Sequence, residues 1–176
     1  MSGITLMFSG IVLISNGLNY LDKVEDNSNA LINIFTGLLY IFLNVMICVH
    51  GIFAEKDSTY YYTAISGLLF GYTYLSYGVN RIKQWDNKNL GYFSIFVTFN
   101  SIFFAVWILM GNGGNYWDVF NWIMWGYLWA TNYFSHNLGR KYGDWLYYLT
   151  IFAGVVTCWI PALLILTGNW PSTLSF

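Results

Sequence analysis

Six apolar stretches follow one another along the chain, with short polar segments between them. Each stretch falls within the roughly 17–25 residues that an α-helix needs to cross the hydrocarbon core of a bilayer. None shows the shorter polar–apolar alternation that is typical of a membrane β-barrel. The pattern predicts an all-α membrane protein whose single domain, residues 1–176, has six transmembrane helices. The stretches are Gly3–Tyr20, Ala30–Phe53, Tyr60–Asn80, Leu90–Met110, Val119–His136 and Trp145–Thr167.

Composition supports a membrane protein. Apolar residues make up 57% of the chain and charged residues 9%, whereas ordinary globular domains hold about 45–50% and about 25%. These fractions argue against a soluble enzyme and a disordered segment, and the net charge of −1 provides no basic surface for nucleic acid. The two histidines, His50 and His136, lie near opposite ends of predicted spans. No catalytic triad or haem site follows from them, and we expect no cofactor and no metal.

The positive charges cluster on alternate connections. Six of the seven Lys and Arg residues follow the first, third and fifth stretches, and the connections after the second and fourth contain only Lys56. Short cytoplasmic loops of membrane proteins carry the excess of Lys and Arg. The asymmetry therefore predicts a multi-pass protein of the plasma membrane with its N-terminus and its C-terminus outside.

A repeat relates the odd-numbered stretches. Gly10, Gly67 and Gly126 are 57 and 59 residues apart (67 − 10 and 126 − 67), and each precedes a bulky apolar residue by three positions. The repeat predicts three tandem helical hairpins about a central pore in the protomer, with the bulky residues at similar depth. An alternative stays open, in which the glycines only let six helices approach closely. The bulky residues are Leu13, Phe70 and Trp129.

The middle of every stretch lacks formal charge. No Asp, Glu, Lys or Arg lies at membrane depth, although proton-coupled transporters, ion channels and pumps place such groups there despite a cost of about 2.5–3.5 kcal/mol each. This pattern argues against proton coupling and charged cargo, and it favours passive movement of a neutral solute. The interior instead holds amides and hydroxyls, which either bond across helices or offer hydrogen bonds to a small polar guest.

Aromatic side chains are concentrated on the third and fifth stretches. Trp122, Trp125 and Trp129 recur at helical spacing and form one stripe, and Phe70 and Tyr74 are neighbours one turn apart. Such rings either fill space against lipid and core or line a slot with flat walls. A slot of that kind passes a flat neutral molecule and rejects hydrated ions, because rings cannot replace an ion's water shell.

Four blocks of sequence resemble the signatures of one family. They read GIVLISNG at 10–17, GLLFGYTY at 67–74, WIMWGYLW at 122–129 and WIPA at 159–162. These blocks are similar to the signature segments of the AmiS/UreI family of urea channels and short-chain amide transporters. They occur in the family's order and are spread over the whole chain.

The resemblance implies an architecture and a site. It implies a six-span protomer with a urea or amide path through it and a homo-hexameric ring with membrane lipid in its central hole. It also implies a functional link to a cytoplasmic urease or amidase. Finally, it implies which residues of this chain contact the solute. These substrate-binding candidates are Phe70, Tyr74, Trp125 and Trp129 at the inner constriction, Leu13 nearby, and Trp122 at the outer constriction.

The sequence departs from the acid-gated members of that family. Those relatives carry long outer loops with several histidine and acidic residues, and a carboxylate within the last span. Here the outer loops are short and contain no histidine, Ala153 stands at the carboxylate position, and Asp118 replaces a tryptophan one turn before Trp122. These differences argue against acid gating and against an unaltered outer constriction, and they leave the inner slot unchanged.

The combined pattern predicts a passive channel for urea or a short-chain aliphatic amide, selected by an aromatic slot and not gated by acid. Two alternatives stay open, namely a coupled transporter of small amides and a structural membrane protein that transports nothing. Urea and acetamide are both flat, small and neutral, so the residues do not decide between them.

Overall fold

Six long helices make up most of residues 3–171, the part of the chain that the computed structural model describes. A short 3₁₀ helix, Ser58–Tyr60, precedes the third of them. Each long helix coincides with one predicted stretch to within a few residues, so the six-helix prediction is confirmed. Residues 1, 2 and 172–176 of the predicted domain lie outside the described part. The helices are α1 (Gly3–Tyr20), α2 (Asp26–Phe53), α3 (Tyr61–Lys83), α4 (Lys88–Leu109), α5 (Tyr116–His136) and α6 (Trp145–Leu166).

Helix ends extend the apolar stretches into the polar connections. α2 begins at Asp26, before its apolar run, and a carboxylate in the first turn interacts favourably with the helix dipole. α5 begins at Tyr116 because Asn115 caps it: the Asn115 side-chain oxygen accepts the N–H groups of Trp117 and Asp118. The Asp118 carboxylate in turn accepts the Asn115 N–H at 2.9 Å, which completes a capping box. Asp118 therefore stabilises the start of α5.

The six helices close into a ring in chain order. Three pairs pack tightly, α1 with α6, α2 with α3 and α4 with α5, whereas the neighbours between these pairs make far fewer contacts. The tight pairs are offset by one helix from the hairpins α1–α2, α3–α4 and α5–α6 that the sequence repeat groups together. A threefold relation among those hairpins stays a prediction.

The three repeated glycines lie at the three tight interfaces. A Cβ on Gly67 of α3 would fall 2.2 Å from the side-chain amide of Asn44 in α2. A Cβ on Gly10 or Gly126 would lie 3.0 Å from a side chain of α6 or α4, respectively. Glycine therefore lets each helix pair approach closely. This packing role is compatible with the repeat, because each copy contributes its glycine to one pair.

Large apolar side chains are exposed on the outside of every helix. Phe53 at the end of α2 is 85% exposed and Phe99 in the middle of α4 is 68% exposed. Soluble monomers rarely carry contiguous apolar patches of more than a few hundred Å². Four helices, α1, α2, α4 and α6, are long and apolar enough by themselves to cross a membrane. α3 and α5 are of similar length but carry most of the aromatic residues that line the cavities inside the ring.

Candidate functional site

Two cavities enter the ring from opposite ends. We call the end with connections 21–25, 84–87 and 137–144 the basic end, because it carries six of the seven Lys and Arg residues. The opposite end is the far end. The basic-end cavity has a volume of about 520 Å³ and the far-end cavity about 400 Å³. Trp125 lines both cavities, so they approach each other at this residue.

A layer of aromatic side chains separates the two cavities. We call Phe70, Trp122, Trp125 and Trp129 the aromatic barrier; each is at most 5% exposed. The centroid of the Phe70 ring lies 4.9 Å from that of Trp125 and 4.6 Å from that of Trp129, both in edge-to-face geometry. Trp122 and Trp125 are 5.2 Å apart in the same geometry. Edge-to-face pairs are among the favoured arrangements of aromatic rings, so the layer is well packed and closed.

Every indole of the aromatic barrier donates its N–H to a hydroxyl group on another helix. A buried N–H group without a partner costs about 1–3 kcal/mol, so these bonds favour one orientation of each ring. The acceptors lie on α3 and α6, while all three indoles lie on α5. The bonds run from Trp122 to Tyr62 (2.8 Å), from Trp125 to Thr157 (2.8 Å) and from Trp129 to Thr73 (3.1 Å).

The hydroxyl that holds Trp125 lies on a π-helical segment within α6. Residues Gly154–Trp159 form this segment, and the Ile160 N–H donates to the carbonyl five residues earlier. Pro161 follows directly and has no N–H to donate to the preceding turn. π-helical turns inside α-helices occur frequently at functional sites. Here the segment places the Thr157 hydroxyl against the Trp125 indole.

All six candidate residues from the sequence lie at the two cavities. Four of them form the aromatic barrier, and Tyr74 and Leu13 line the basic-end cavity beside it. The Tyr74 ring lies 6.0 Å from the Phe70 ring, measured between centroids. Leu13 is half-buried at the same cavity. The structure thus brings the six residues together, and their contact with a solute stays a prediction.

Tyr40 of α2 belongs to this cluster and was missed by the sequence reasoning. It is fully buried, its ring stacks 5.8 Å from Phe70, and its hydroxyl shares a 2.5 Å hydrogen bond with Ser9 of α1. Tyr40 therefore packs against Phe70 from α2, whereas the tryptophans pack against it from α5. In the sequence, Tyr40 is a tyrosine within the apolar stretch of α2. No helical spacing relates it to the aromatic stripe of α5, so the sequence provides little indication that it belongs to the site.

Two of the three asparagines that line the basic-end cavity are hydrogen-bonded to each other. Asn16 of α1 and Asn33 of α2 each donate to the other's side-chain oxygen, at 3.3 and 2.7 Å. This reciprocal pair bridges α1 and α2, which pack less extensively than the three tight pairs. For these two residues the structure supports a cross-helix bond, which is the simpler of the two interpretations of the interior amides.

Charged side chains lie at the mouths of the cavities. Arg140 and Lys141 line the basic-end cavity, and Asp118 lines the far-end cavity. The aromatic barrier between them presents ring faces and indole N–H groups that are already hydrogen-bonded. Such a layer provides no oxygen ligands that could replace the water shell of an ion. The arrangement is therefore suited to a small neutral molecule.

Comparison with known proteins identifies the family. The model of the AmiS/UreI family of transporters matches residues 1–169. This chain belongs to the AmiS/UreI family. The acid-activated urea channel of Helicobacter pylori is 31% identical over 97% of this chain and the whole of that protein. A putative amidate substrates transporter protein of Mycolicibacterium smegmatis is 29% identical over 97% of this chain and 78% of that protein.

A solved structure agrees with the family assignment. The crystal structure of the urea channel from H. pylori is similar to this AmiS/UreI protein with a TM-score of 0.86 at 32% sequence identity, covering 97% of this chain and 100% of that chain. The resemblance seen in the four sequence blocks is confirmed. The chain is accordingly a membrane protein with the fold of a urea channel, in a family of channels and transporters.

Proposed function

We propose that this AmiS/UreI protein is a passive channel that carries urea or a short-chain aliphatic amide across the plasma membrane. The supporting observation is that two cavities from opposite ends meet at an uncharged aromatic barrier. A flat neutral solute stacks on ring faces, and Tyr74 lines the basic-end cavity beside the barrier. Phe70 lies 4.6–4.9 Å from two of the indoles, so passage requires small rotations of these rings.

The proposed channel is open at neutral pH. A proton switch that moves a closed-to-open ratio from 1:99 to 99:1 takes roughly 5.5 kcal/mol, and one pKa unit of difference between states supplies about 1.4 kcal/mol. His50 is the one histidine at the far end, and a single group would need a pKa difference of about four units between the two states to supply that energy by itself. The exposed loop carboxylates at this end are Glu55 and Asp57, and Asp118 is engaged in the cap of α5.

Asp57 does not titrate between pH 5 and 7.5. The pKa of its carboxylate lies below the ordinary value because the Thr59 hydroxyl and the Tyr60 N–H donate hydrogen bonds to it. A carboxylate with a lowered pKa takes up a proton only as the pH falls through that lowered value. This value lies below the ordinary carboxylate pKa of about 3.9. Asp57 is therefore ionised throughout this pH range and provides no switch within it.

Orientation and assembly complete the proposal. The positive-inside rule places the basic end in the cytoplasm and both termini outside. The exposed apolar surface of the ring of helices suits both lipid and further protomers, as expected for a homo-hexamer with lipid in its central hole. In this arrangement the basic-end cavity delivers solute to the cytoplasm, where a urease or amidase consumes it.

The experiment is stopped-flow light scattering of proteoliposomes exposed to a gradient of urea or acetamide. We expect flux that is driven by the gradient, is unaffected by ionophores and exceeds that of protein-free vesicles. An uncoupler that abolished the flux would instead identify a coupled transporter. Flux equal to that of empty vesicles for both solutes would contradict the proposal and favour a structural role.

A further inference from the structure

Asn121 is a buried amide with unused hydrogen-bonding capacity on the wall of the far-end cavity. The residue is 3% exposed and lines that cavity. Its Oδ1 atom has no hydrogen-bond partner among residues 3–171. Buried amide oxygens are nearly always hydrogen-bonded in folded proteins. A ligand that enters the cavity provides a partner for this one.

The position of Asn121 relates it directly to the aromatic barrier. On α5 it lies next to Trp122 and one turn before Trp125, so Asn121 and Trp125 share a helix face. Both indoles line the same cavity. Ser66 of α3 also lines this cavity, and its hydroxyl donates to the Thr63 carbonyl of its own helix at 2.9 Å. Asn121 thus brings an unpartnered amide oxygen close to the aromatic barrier.

The chemistry of a carboxamide predicts what Asn121 recognises. A carboxamide carries a donor and an acceptor side by side, so two carboxamides can donate to each other at once. Asn16 and Asn33 of this protein form such a reciprocal pair, at 3.3 and 2.7 Å. Urea and primary amides present the same C(=O)NH₂ group. A secondary amide in its preferred trans form holds N–H and C=O on opposite sides and makes only one of the two bonds.

We propose that Asn121 docks the solute by pairing reciprocally with its C(=O)NH₂ group, so that the far-end cavity selects urea and primary amides over N-substituted amides. The torsion that turns the Asn121 amide is soft, so Oδ1 moves from the wall to the cavity when the solute arrives. This inference rests on the proposed function, because it assigns a selectivity to the same path.

The test compares two solutes of identical molecular formula. Acetamide is a primary amide, and N-methylformamide is its secondary-amide isomer. The measured quantity is the ratio of acetamide to N-methylformamide flux in proteoliposomes, after subtraction of flux through empty vesicles. The variant is Asn121→Leu, which keeps similar bulk without hydrogen bonds. The control is Asn100→Leu, because the Asn100 amide donates to the Phe96 carbonyl of its own helix and lines neither cavity.

We expect the wild-type protein to prefer acetamide and Asn121→Leu to lower this preference about two- to tenfold, the range that one net hydrogen bond gives. Asn100→Leu should keep the wild-type ratio. A wild-type ratio near one would overturn the inference even if Asn121→Leu failed to fold. If Asn121→Leu transported urea and kept the wild-type ratio, this inference would be overturned and the proposed function would be unaffected. If the wild-type protein carried neither urea nor acetamide, the proposed function would fail first.

Discussion

Replacement of Thr157 by valine isolates one anchor of the aromatic barrier. The hydroxyl of Thr157 accepts the Trp125 indole N–H at 2.8 Å and donates to the Ala153 carbonyl at 2.6 Å. Valine has nearly the same size and the same branching, so Thr157→Val removes these two bonds and leaves the packing volume almost unchanged. The π-helical backbone of Gly154–Trp159 is kept because valine has an ordinary backbone N–H.

The size of the effect follows from the buried indole. An N–H group that loses its partner in a buried site costs about 1–3 kcal/mol, and every 1.4 kcal/mol changes a population ratio tenfold. Thr157→Val therefore raises, by a factor of roughly 5 to 150, the population of Trp125 orientations in which the indole N–H reaches water or another acceptor. In those orientations the edge contacts of Trp125 with Phe70 at 4.9 Å and Trp122 at 5.2 Å are weakened.

The assay is flux of urea and of thiourea, the larger sulfur analogue, in proteoliposomes. We expect Thr157→Val to change the thiourea-to-urea ratio at least severalfold, because a misoriented indole either widens or blocks the slot. The matched control is Thr167→Val, in which the hydroxyl makes the same bond to the carbonyl four residues earlier (2.8 Å) at an exposed site. If Thr157→Val and Thr167→Val both behaved like wild type in flux and ratio, the anchoring argument would be refuted.

Three further outcomes follow from the structure. Trp125→Ala and Trp129→Ala should admit thiourea and larger amides or abolish flux by collapse; unchanged urea flux and selectivity in both variants would rule out the aromatic slot. Gly67→Ala should lower the midpoint of thermal unfolding, because its Cβ would fall 2.2 Å from the Asn44 amide, and a midpoint equal to that of wild type would show that this interface adapts. Urea flux should change less than severalfold between pH 5 and 7.5; flux that appears only at pH 5 and loses its pH dependence in His50→Ala would show that acid does gate the protein.

The helices and the aromatic stripe could be predicted because both depend on short-range periodicity. A bilayer requires about twenty apolar residues per span, and the tryptophans of α5 recur at positions that share one helix face. α3 and α5 do not reach the apolarity of the other four helices, yet their apolar stretches are long enough to predict them as spans. Asp118 stood out in the sequence as a departure from the family, and its role in capping α5 became evident only from the geometry of Asn115.

Contacts between helices could not be predicted in the same way. Tyr40 and Ser9 are 31 positions apart and meet only because α1 and α2 cross at that depth. Gly10, Gly67 and Gly126 lie at close approaches between helices, as the alternative interpretation of the repeat expected, but their spacing does not indicate which helix each odd-numbered helix packs against. A local pattern shows which residue faces a neighbour, whereas the choice of neighbour depends on how all six helices close into a ring.

The hydrogen bonds around the aromatic barrier connect the three tight helix pairs to one another. Packing is more extensive within the pairs, α1 with α6, α2 with α3 and α4 with α5, than between them. At the depth of the barrier, the indoles of α5 donate to hydroxyls on α3 and α6, and the bond between Tyr40 and Ser9 joins α2 to α1. Each junction between tight pairs therefore carries at least one hydroxyl bond beside the narrowest part of the proposed path. A change that loosens one junction should alter selectivity and stability together, because the same bonds orient the rings and hold the pairs.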